Sequence, residues 1–291
     1  MTISPPAGPL VNTEWLSLAL GSPHVAVVDA SWYLPSVGRD AHGEYLAAHI
    51  PGARWFDIDL LSDQVTPLPH MLPDPVAFGQ AIGALGIGND DFIVACDGSG
   101  TNLSAARAWW MFRVFGHDRV AVLDGGIGQW KAEGRPLESG VPCVKPRRFT
   151  AVVHPDLLVS GEEIFNDLGA RRSQVLDARS PGRFAGTEPE PRPGIRGGHI
   201  PGSHNVPYPE LVGPDGRLLP EGALRQRLAA AGVDPARPSI ALCGSGVTAC
   251  AILLALHQLG NRDARLYDGS WTEWGGRTDL PVETGPGRAS D

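Results

Sequence analysis

Short apolar runs recur along the chain, and most are followed, after a turn, by a longer stretch whose apolar positions suit a helix. In the first half the pattern predicts a helix over 13–20 capped by Thr13, a strand over 25–29, and a helical turn over 44–48 running into His49-Ile50-Pro51-Gly52. Asp74 caps a helix over 75–85. Then come a buried strand over 92–96, a helix over 104–115, a strand over 120–123 and a helix over 128–133. A second series runs helix 161–168, strand 174–177, helix 221–231, strand 239–242, helix 247–259 and strand 265–267. Strands that alternate with helices predict an α/β fold whose parallel sheets are covered on both faces.

The two series repeat each other. Val27-Val28-Asp29-Ala30 returns as Val175-Leu176-Asp177-Ala178, His49-Ile50-Pro51-Gly52 as His199-Ile200-Pro201-Gly202, and Asp124-Gly125-Gly126 up to Trp130 as Asp268-Gly269-Ser270 up to Trp274. The offsets, 148, 150 and 144 residues, are close enough to mean a duplicated domain. The expected boundaries are 9–140 for the first domain and 154–284 for the second, with 141–153 as a linker containing Pro142, Pro146 and Arg147-Arg148. Stretches up to about Gly8 and beyond about Thr284, rich in Pro, Gly and small polar residues, are expected to be disordered tails.

Composition narrows the partners. The formal net charge is −8 over 291 residues and no Lys/Arg run exceeds two, which argues against nucleic acid or an acidic membrane surface. The four cysteines, Cys96, Cys143, Cys243 and Cys250, have neither CxxC nor Cys/His zinc spacing, so neither a disulfide framework nor a metal is expected. The longest apolar stretch, 249–256, is too short to span a bilayer, and residues 1–9 do not read as a signal peptide. The expected setting is the cytoplasm, with reduced thiols and no membrane partner.

The chemistry points to Cys243. It ends the apolar run 239–242, Gly244 and Gly246 break that run, and a helix follows, so the thiol sits at a strand-to-helix turn. Backbone amides and the positive end of a helix favour thiolate there and hold an anion attached to it. A buried structural cysteine is the alternative. Ser245 and Thr248, with the two glycines, crowd a place that core packing would fill with aliphatics. In the first half, aligning 92–95 on 240–242 sets Cys96 or Asp97 opposite Cys243. The loop 97–102 reads as longer and without the same glycine spacing, so only the second half is expected to keep the cradle, and Cys96 reads as a core residue. Cysteine phosphatases use a similar turn but need an arginine six positions after the cysteine, where this chain has Ala249.

The repeat, the two His-Ile-Pro-Gly turns, the Ala108-Trp109-Trp110 helix and the loop Cys243-Gly244-Ser245-Gly246-Val247-Thr248-Ala249 resemble the two-domain rhodanese sulfurtransferases over nearly the whole chain. The resemblance implies two rhodanese-like domains, each a parallel five-stranded sheet flanked by helices on both faces, and no cofactor. Within the family, Arg-Lys after the cysteine typifies the thiosulfate type, whereas Gly-Ser, as in Gly244-Ser245, is the pattern of 3-mercaptopyruvate sulfurtransferases, which this chain resembles. Expulsion of sulfite, a dianion, from thiosulfate is helped by cations beside the loop; expulsion of pyruvate enolate needs a grip on one carboxylate and one oxyanion. By similarity, Arg183 and Arg192 supply that grip, the loop residues Gly244, Gly246, Val247 and Thr248 line the donor, and Ser245, His70 and Asp59 form a proton relay across a domain interface. The implied donor is 3-mercaptopyruvate, with thiosulfate as a further one, and the acceptor is a thioredoxin, a small thiol or cyanide. A thiosulfate:cyanide sulfurtransferase and a non-catalytic sulfur carrier or scaffold remain the alternatives. His204 departs from the family, where a smaller apolar residue is expected, and Cys250 is a candidate to resolve a persulfide.

Overall fold

The computed structural model describes Ser4 and residues 6–287; the outermost parts of both tails, residues 1–3, 5 and 288–291, lie outside the described residues. The chain forms two compact units. One is built from the chain up to Asp63, Leu72–His154 and Val212–Leu218, the other from Gln64–Met71, Pro155–Leu211 and the chain from Leu219 onward.

The first unit contains β1 (Leu10–Val11), α1 (Thr13–Ala19), β2 (Val25–Asp29), α2 (Ala41–Ala47), β3 (Arg54–Trp55), α3 (Pro75–Ala84), β4 (Phe92–Cys96), α4 (Leu103–Val114), β5 (Val120–Leu123) and α5 (Gly126–Ala132). Its sheet is parallel, with strand order β1-β5-β4-β2-β3. The second unit follows with α6 (Gly161–Asp167), β6 (Gln174–Asp177), α7 (Pro181–Ala185), β7 (His204–Asn205), α8 (Glu221–Ala230), β8 (Ser239–Leu242), α9 (Ala249–Gln258), β9 (Arg265–Leu266) and α10 (Ser270–Gly276). Its sheet is also parallel, in the order β7-β6-β8-β9, so among the described residues it has four strands where five were expected. The place that β1 takes beside β5 is reduced to one parallel bridge, Leu158 to Leu266, with Val159 N–H donating to the Leu266 carbonyl at 3.0 Å.

Every residue of the inner strands β4 and β8 is buried, which explains why they read as continuous apolar runs without alternation. The helix after each is almost wholly buried too. α4 carries Trp109, Trp110 and Phe112 inside, and α9 is buried from Ala249 to Leu256. Each such large apolar side chain contributes about 1.5–3 kcal/mol on burial, which makes the strand–turn–helix segments a rigid base.

The repeat holds at atomic level. His49 Nδ1 lies 2.8 Å from the Tyr45 carbonyl and His199 Nδ1 lies 2.9 Å from the Phe184 carbonyl. Gly52 N–H donates to Glu138, and Gly202 N–H to Glu283, each across an antiparallel bridge. Trp130 and Trp274 donate their indole N–H to the carbonyls of Pro136 and Pro281, both at 2.8 Å. These histidine turns hold the chain in place.

Several boundaries differ from expectation. Asn12, not Thr13, caps α1, accepting from Trp15 N–H at 2.7 Å. The helix expected from 247 begins at Ala249. Two-residue strands such as β1, β3 and β7 are too short to leave a periodic signature. The stretch read as a linker lies against the first unit: Phe149 is 6 % exposed among Phe78, Phe112 and His117, and Arg147 pairs with Asp91 at 2.6 Å. Described parts of both expected tails are held as well, since Trp15 Nε1 donates to the Ser4 carbonyl and Gly285 N–H to the Ala185 carbonyl. Among the described residues no helix is long and apolar enough to cross a membrane.

Candidate functional site

Cys243 follows β8 directly, and its backbone is held on both sides. Its N–H donates to Ser270 Oγ at 3.2 Å and its carbonyl accepts from Trp271 N–H at 2.9 Å. Ser270 itself is left-handed, φ 52°, which aims its hydroxyl at that amide while it donates to the Tyr267 carbonyl. The Gly244 carbonyl is pinned by Thr272 through N–H at 3.1 Å and Oγ1 at 2.6 Å. Gly246 turns the loop with φ 78°, a conformation that costs a residue with a Cβ. Its carbonyl accepts from Cys250 Sγ at 3.3 Å, so the thiol considered as a resolving group serves to brace the turn. Val247 is buried, Thr248 is the residue before α9, and the start of that ten-residue helix favours negative charge nearby. Ser270 and Thr272 went unnoticed in the sequence, although the Asp-Gly repeat pointed at their segment.

The first unit keeps the same loop, contrary to expectation. Ala30 N–H bonds to the Cys96 carbonyl as Ala178 N–H bonds to that of Leu242, and Ile127 N–H bonds to the Asp97 carbonyl as Trp271 N–H bonds to that of Cys243. Asp97, not Cys96, is therefore the counterpart of Cys243. In this register Asp97-Gly98-Ser99-Gly100-Thr101-Asn102 matches Cys243-Gly244-Ser245-Gly246-Val247-Thr248 in length and glycine spacing. The buried Asp97 carboxylate accepts from Ser99 N–H and Oγ and from the N–H groups of Ser104 and Ala105 in the first turn of α4, at 2.6–3.0 Å. Cys96 is a core thiol. Burial pushes its pKa well above the usual thiol range, and Asp29 and Asp97 push the same way.

Beside the cysteine loop stands Arg183 of α7. Its terminal nitrogen lies 3.0 Å from where a Cβ on residue 244 would stand, so Gly244 makes room for the guanidinium. Glu190 holds the same edge of the guanidinium, accepting from Arg183 NH2 at 2.6 Å and Nε at 3.2 Å. Glu190 is in turn fixed by Arg179 NH1 at 2.6 Å, and Arg179 is fully enclosed, bonded to Asp177, to the Gly198 carbonyl and stacked over Trp271. Burial works against the Arg179 charge, but Asp177 and Glu190 outweigh it and raise its pKa. Removing one member of such a buried set typically costs about 3–5 kcal/mol. Arg192 is electrostatically coupled to the same groups: burial lowers its pKa, the Arg183 charge adds to that, and Cys243 and Glu190 oppose it. The sequence reading missed Glu190 and Arg179. The signal was available where the repeats differ, since Ser31 follows Asp29-Ala30 but Arg179 follows Asp177-Ala178.

Ser245 Oγ lies 2.9 Å from His70 Nδ1, and the segment bearing His70 belongs to the same compact unit as Cys243. His70 has φ 59°, a left-handed strain that histidine bears better than most residues. Asp59 belongs to the other unit, where it accepts from Trp32 Nε1 at 3.2 Å. His204 packs away from this chemistry, its Nδ1 on the Ala231 carbonyl at 2.9 Å, beside a cavity of about 200 Å³ lined by Arg171, Gln174, Arg237 and Ile240. Among the described residues one His/carboxylate group, His24, Asp90 and Asp91, brings its ligand atoms within 4.8 Å, and the Arg147 guanidinium already bridges the two carboxylates.

The chain is thus a duplicated parallel α/β protein, with a thiol at the head of the six-residue loop in one unit and a carboxylate at the head of the same loop in the other. The chain belongs to the rhodanese family: the rhodanese-like domain matches residues 12–133 and again 161–277. It is 45 % identical over 270 residues to the 3-mercaptopyruvate sulfurtransferase of Rattus norvegicus, covering 91 % of each chain. It is 43 % identical over 297 residues to the mitochondrial thiosulfate/3-mercaptopyruvate sulfurtransferase 1 of Arabidopsis thaliana, covering 95 % of this chain and 78 % of that one. The crystal structure of SseA from Escherichia coli, described as a 3-mercaptopyruvate sulfotransferase, superposes with a TM-score of 0.83 at 38 % identity, covering 91 % of this chain and 99 % of that one.

Proposed function

We propose that the protein is a 3-mercaptopyruvate sulfurtransferase that carries sulfur as a persulfide on Cys243. The Cys243 thiolate attacks the sulfur of 3-mercaptopyruvate. An S–S bond forms, the C–S bond breaks, and its electron pair leaves as the enolate of pyruvate, which takes a proton at carbon to become pyruvate. An acceptor thiolate or cyanide then attacks the outer sulfur and returns the Cys243 thiolate. The observation that carries this reading is Arg183 standing against the side-chain-free Gly244 that follows the thiol, with the Arg192 charge coupled to both Arg183 and Cys243. Two guanidiniums suit the donor's carboxylate and the developing enolate oxygen. We assign Ser245 and His70, with Asp59 on the family pattern, to the proton, and the loop from Gly244 through Gly246 and Val247 to Thr248 to lining the donor. The proposed acceptor is a thioredoxin, a small thiol or cyanide, and the proposed setting is the cytoplasm.

A side-by-side donor assay tests this. Mercaptopyruvate is expected to be preferred over thiosulfate. Replacing Gly244-Ser245 with Arg-Lys should move preference toward thiosulfate, because a side chain at 244 displaces Arg183 while adding the cations that sulfite needs. Equal or better use of thiosulfate by the unmodified protein would overturn the reading.

Arg183→Ala and Arg192→Ala are expected to lower kcat/KM for mercaptopyruvate by tens to hundreds of fold, since one charge-assisted contact is worth about 1.5–3 kcal/mol. Part of the loss should appear as a higher KM. Unchanged steady-state constants in both variants would remove the arginines from donor binding.

A further inference from the structure

We infer that Glu190 is a positioning residue that sets the charge of the donor pocket and thereby makes it selective for a monoanion over a dianion, an inference that rests on Arg183 and Arg192 being the donor grip. Three observations carry it. The Glu190 side chain is only 4 % exposed and bridges two guanidiniums: Oε1 accepts from Arg179 NH1 and Arg183 Nε, and Oε2 from Arg183 NH2. Arg179 is locked in that arrangement, because Nε and NH2 are committed to Asp177, NH2 also to the Gly198 carbonyl, and the cation lies over Trp271. Arg179 is shared between Asp177 and Glu190, so these two carboxylates carry one negative charge more than it balances, and that surplus falls on Arg183.

The consequence is a charge count. Arg183 and Arg192 bring two positive charges, and Glu190 removes one, leaving a single net positive charge beside Cys243. A donor with one carboxylate is matched by that charge. Thiosulfate, with two negative charges, leaves one unbalanced in a partly desolvated pocket, where opposite charges attract and surplus charge is repelled more strongly than in water. The Cys243 thiolate is present for either donor and does not change the comparison. Glu190 also fixes the plane of the Arg183 fork through two contacts, so the guanidinium meets a donor already oriented.

Glu190→Gln and Glu190→Asp, assayed with both donors, test the inference. In Glu190→Gln the ratio of kcat/KM for thiosulfate to that for mercaptopyruvate should rise at least about tenfold, a change of 1.4 kcal/mol. Glu190→Asp keeps the charge and should hold the ratio within about threefold of the unmodified protein even where both rates fall. A merely structural role would lower both donors together, and an unchanged ratio in Glu190→Gln overturns the inference. A measurement on the unmodified protein stands independently of folding: pyruvate and sulfate are compared as competitive inhibitors against mercaptopyruvate. Pyruvate is expected to bind at least as tightly as sulfate, and sulfate binding tenfold tighter overturns the inference. Failure of the underlying reading looks different, since Arg183→Ala would then leave the mercaptopyruvate constants untouched.

Discussion

Treated with mercaptopyruvate and no acceptor, the unmodified protein is expected to gain the mass of one sulfur, and Cys243→Ser to gain none. The other three cysteines are poor competitors for physical reasons. Cys96 is buried with its pKa pushed well up by desolvation and two carboxylates; Cys250 is buried and bonded to the Gly246 carbonyl; Cys143 is exposed, without the loop around it. Turnover in Cys243→Ser should fall on the order of a thousandfold or more, because the hydroxyl is a far weaker nucleophile at neutral pH than a thiolate and no second thiol is placed to substitute. Intact-mass analysis followed by peptide mapping reads the outcome. Sulfur found on Cys96 or Cys143 would sink the assignment.

The second large effect is expected at the Ser245–His70 pair. Ser245→Ala and His70→Asn should reduce turnover about a hundredfold or more while leaving KM for the donor within a few fold, since proton transfer helps the transition state more than the bound ground state. Asparagine is the informative replacement at 70 because it accepts the left-handed backbone that His70 adopts, which keeps loss of the imidazole apart from loss of the turn. This kinetic signature is opposite to that of the arginine variants, whose loss includes KM. If His70→Asn leaves both turnover and its pH dependence unchanged, the relay is wrong, and thiolate formation rests on the loop and helix end alone.

How much of this was legible depended on whether a signal was local. Strands β2, β4, β5, β6 and β8 announce themselves because they are apolar and at least four residues long, and the helices between them carry their own periodicity. The two-residue strands β1, β3 and β7 have too few residues for either cue. Cys243 was legible because two glycines and two hydroxyls at a strand end are out of place in a core. Its counterpart was left open between Cys96 and Asp97, and the loop there read as different, although Asp97-Gly98-Ser99-Gly100 has the same length and glycine spacing as Cys243-Gly244-Ser245-Gly246. Glu190 was hidden for another reason. A glutamate in a Pro-rich stretch looks like solvated loop, and its meaning arises only when Arg179 and Arg183 close on it from separate positions in the chain.

The loop headed by Asp97 has a bearing on how the other works. There a carboxylate is covalently tethered at the mouth of the turn and gathers the hydroxyl and amide hydrogens around it. It behaves as a built-in ligand that can never leave. One copy of the ancestral unit thus preserves a portrait of the loaded cradle, its negative charge delivered by the chain and permanently seated, while the other keeps the seat for a charge that must come and go. Duplication separated the two tasks: a fold that stays filled, and a fold that trades what it holds.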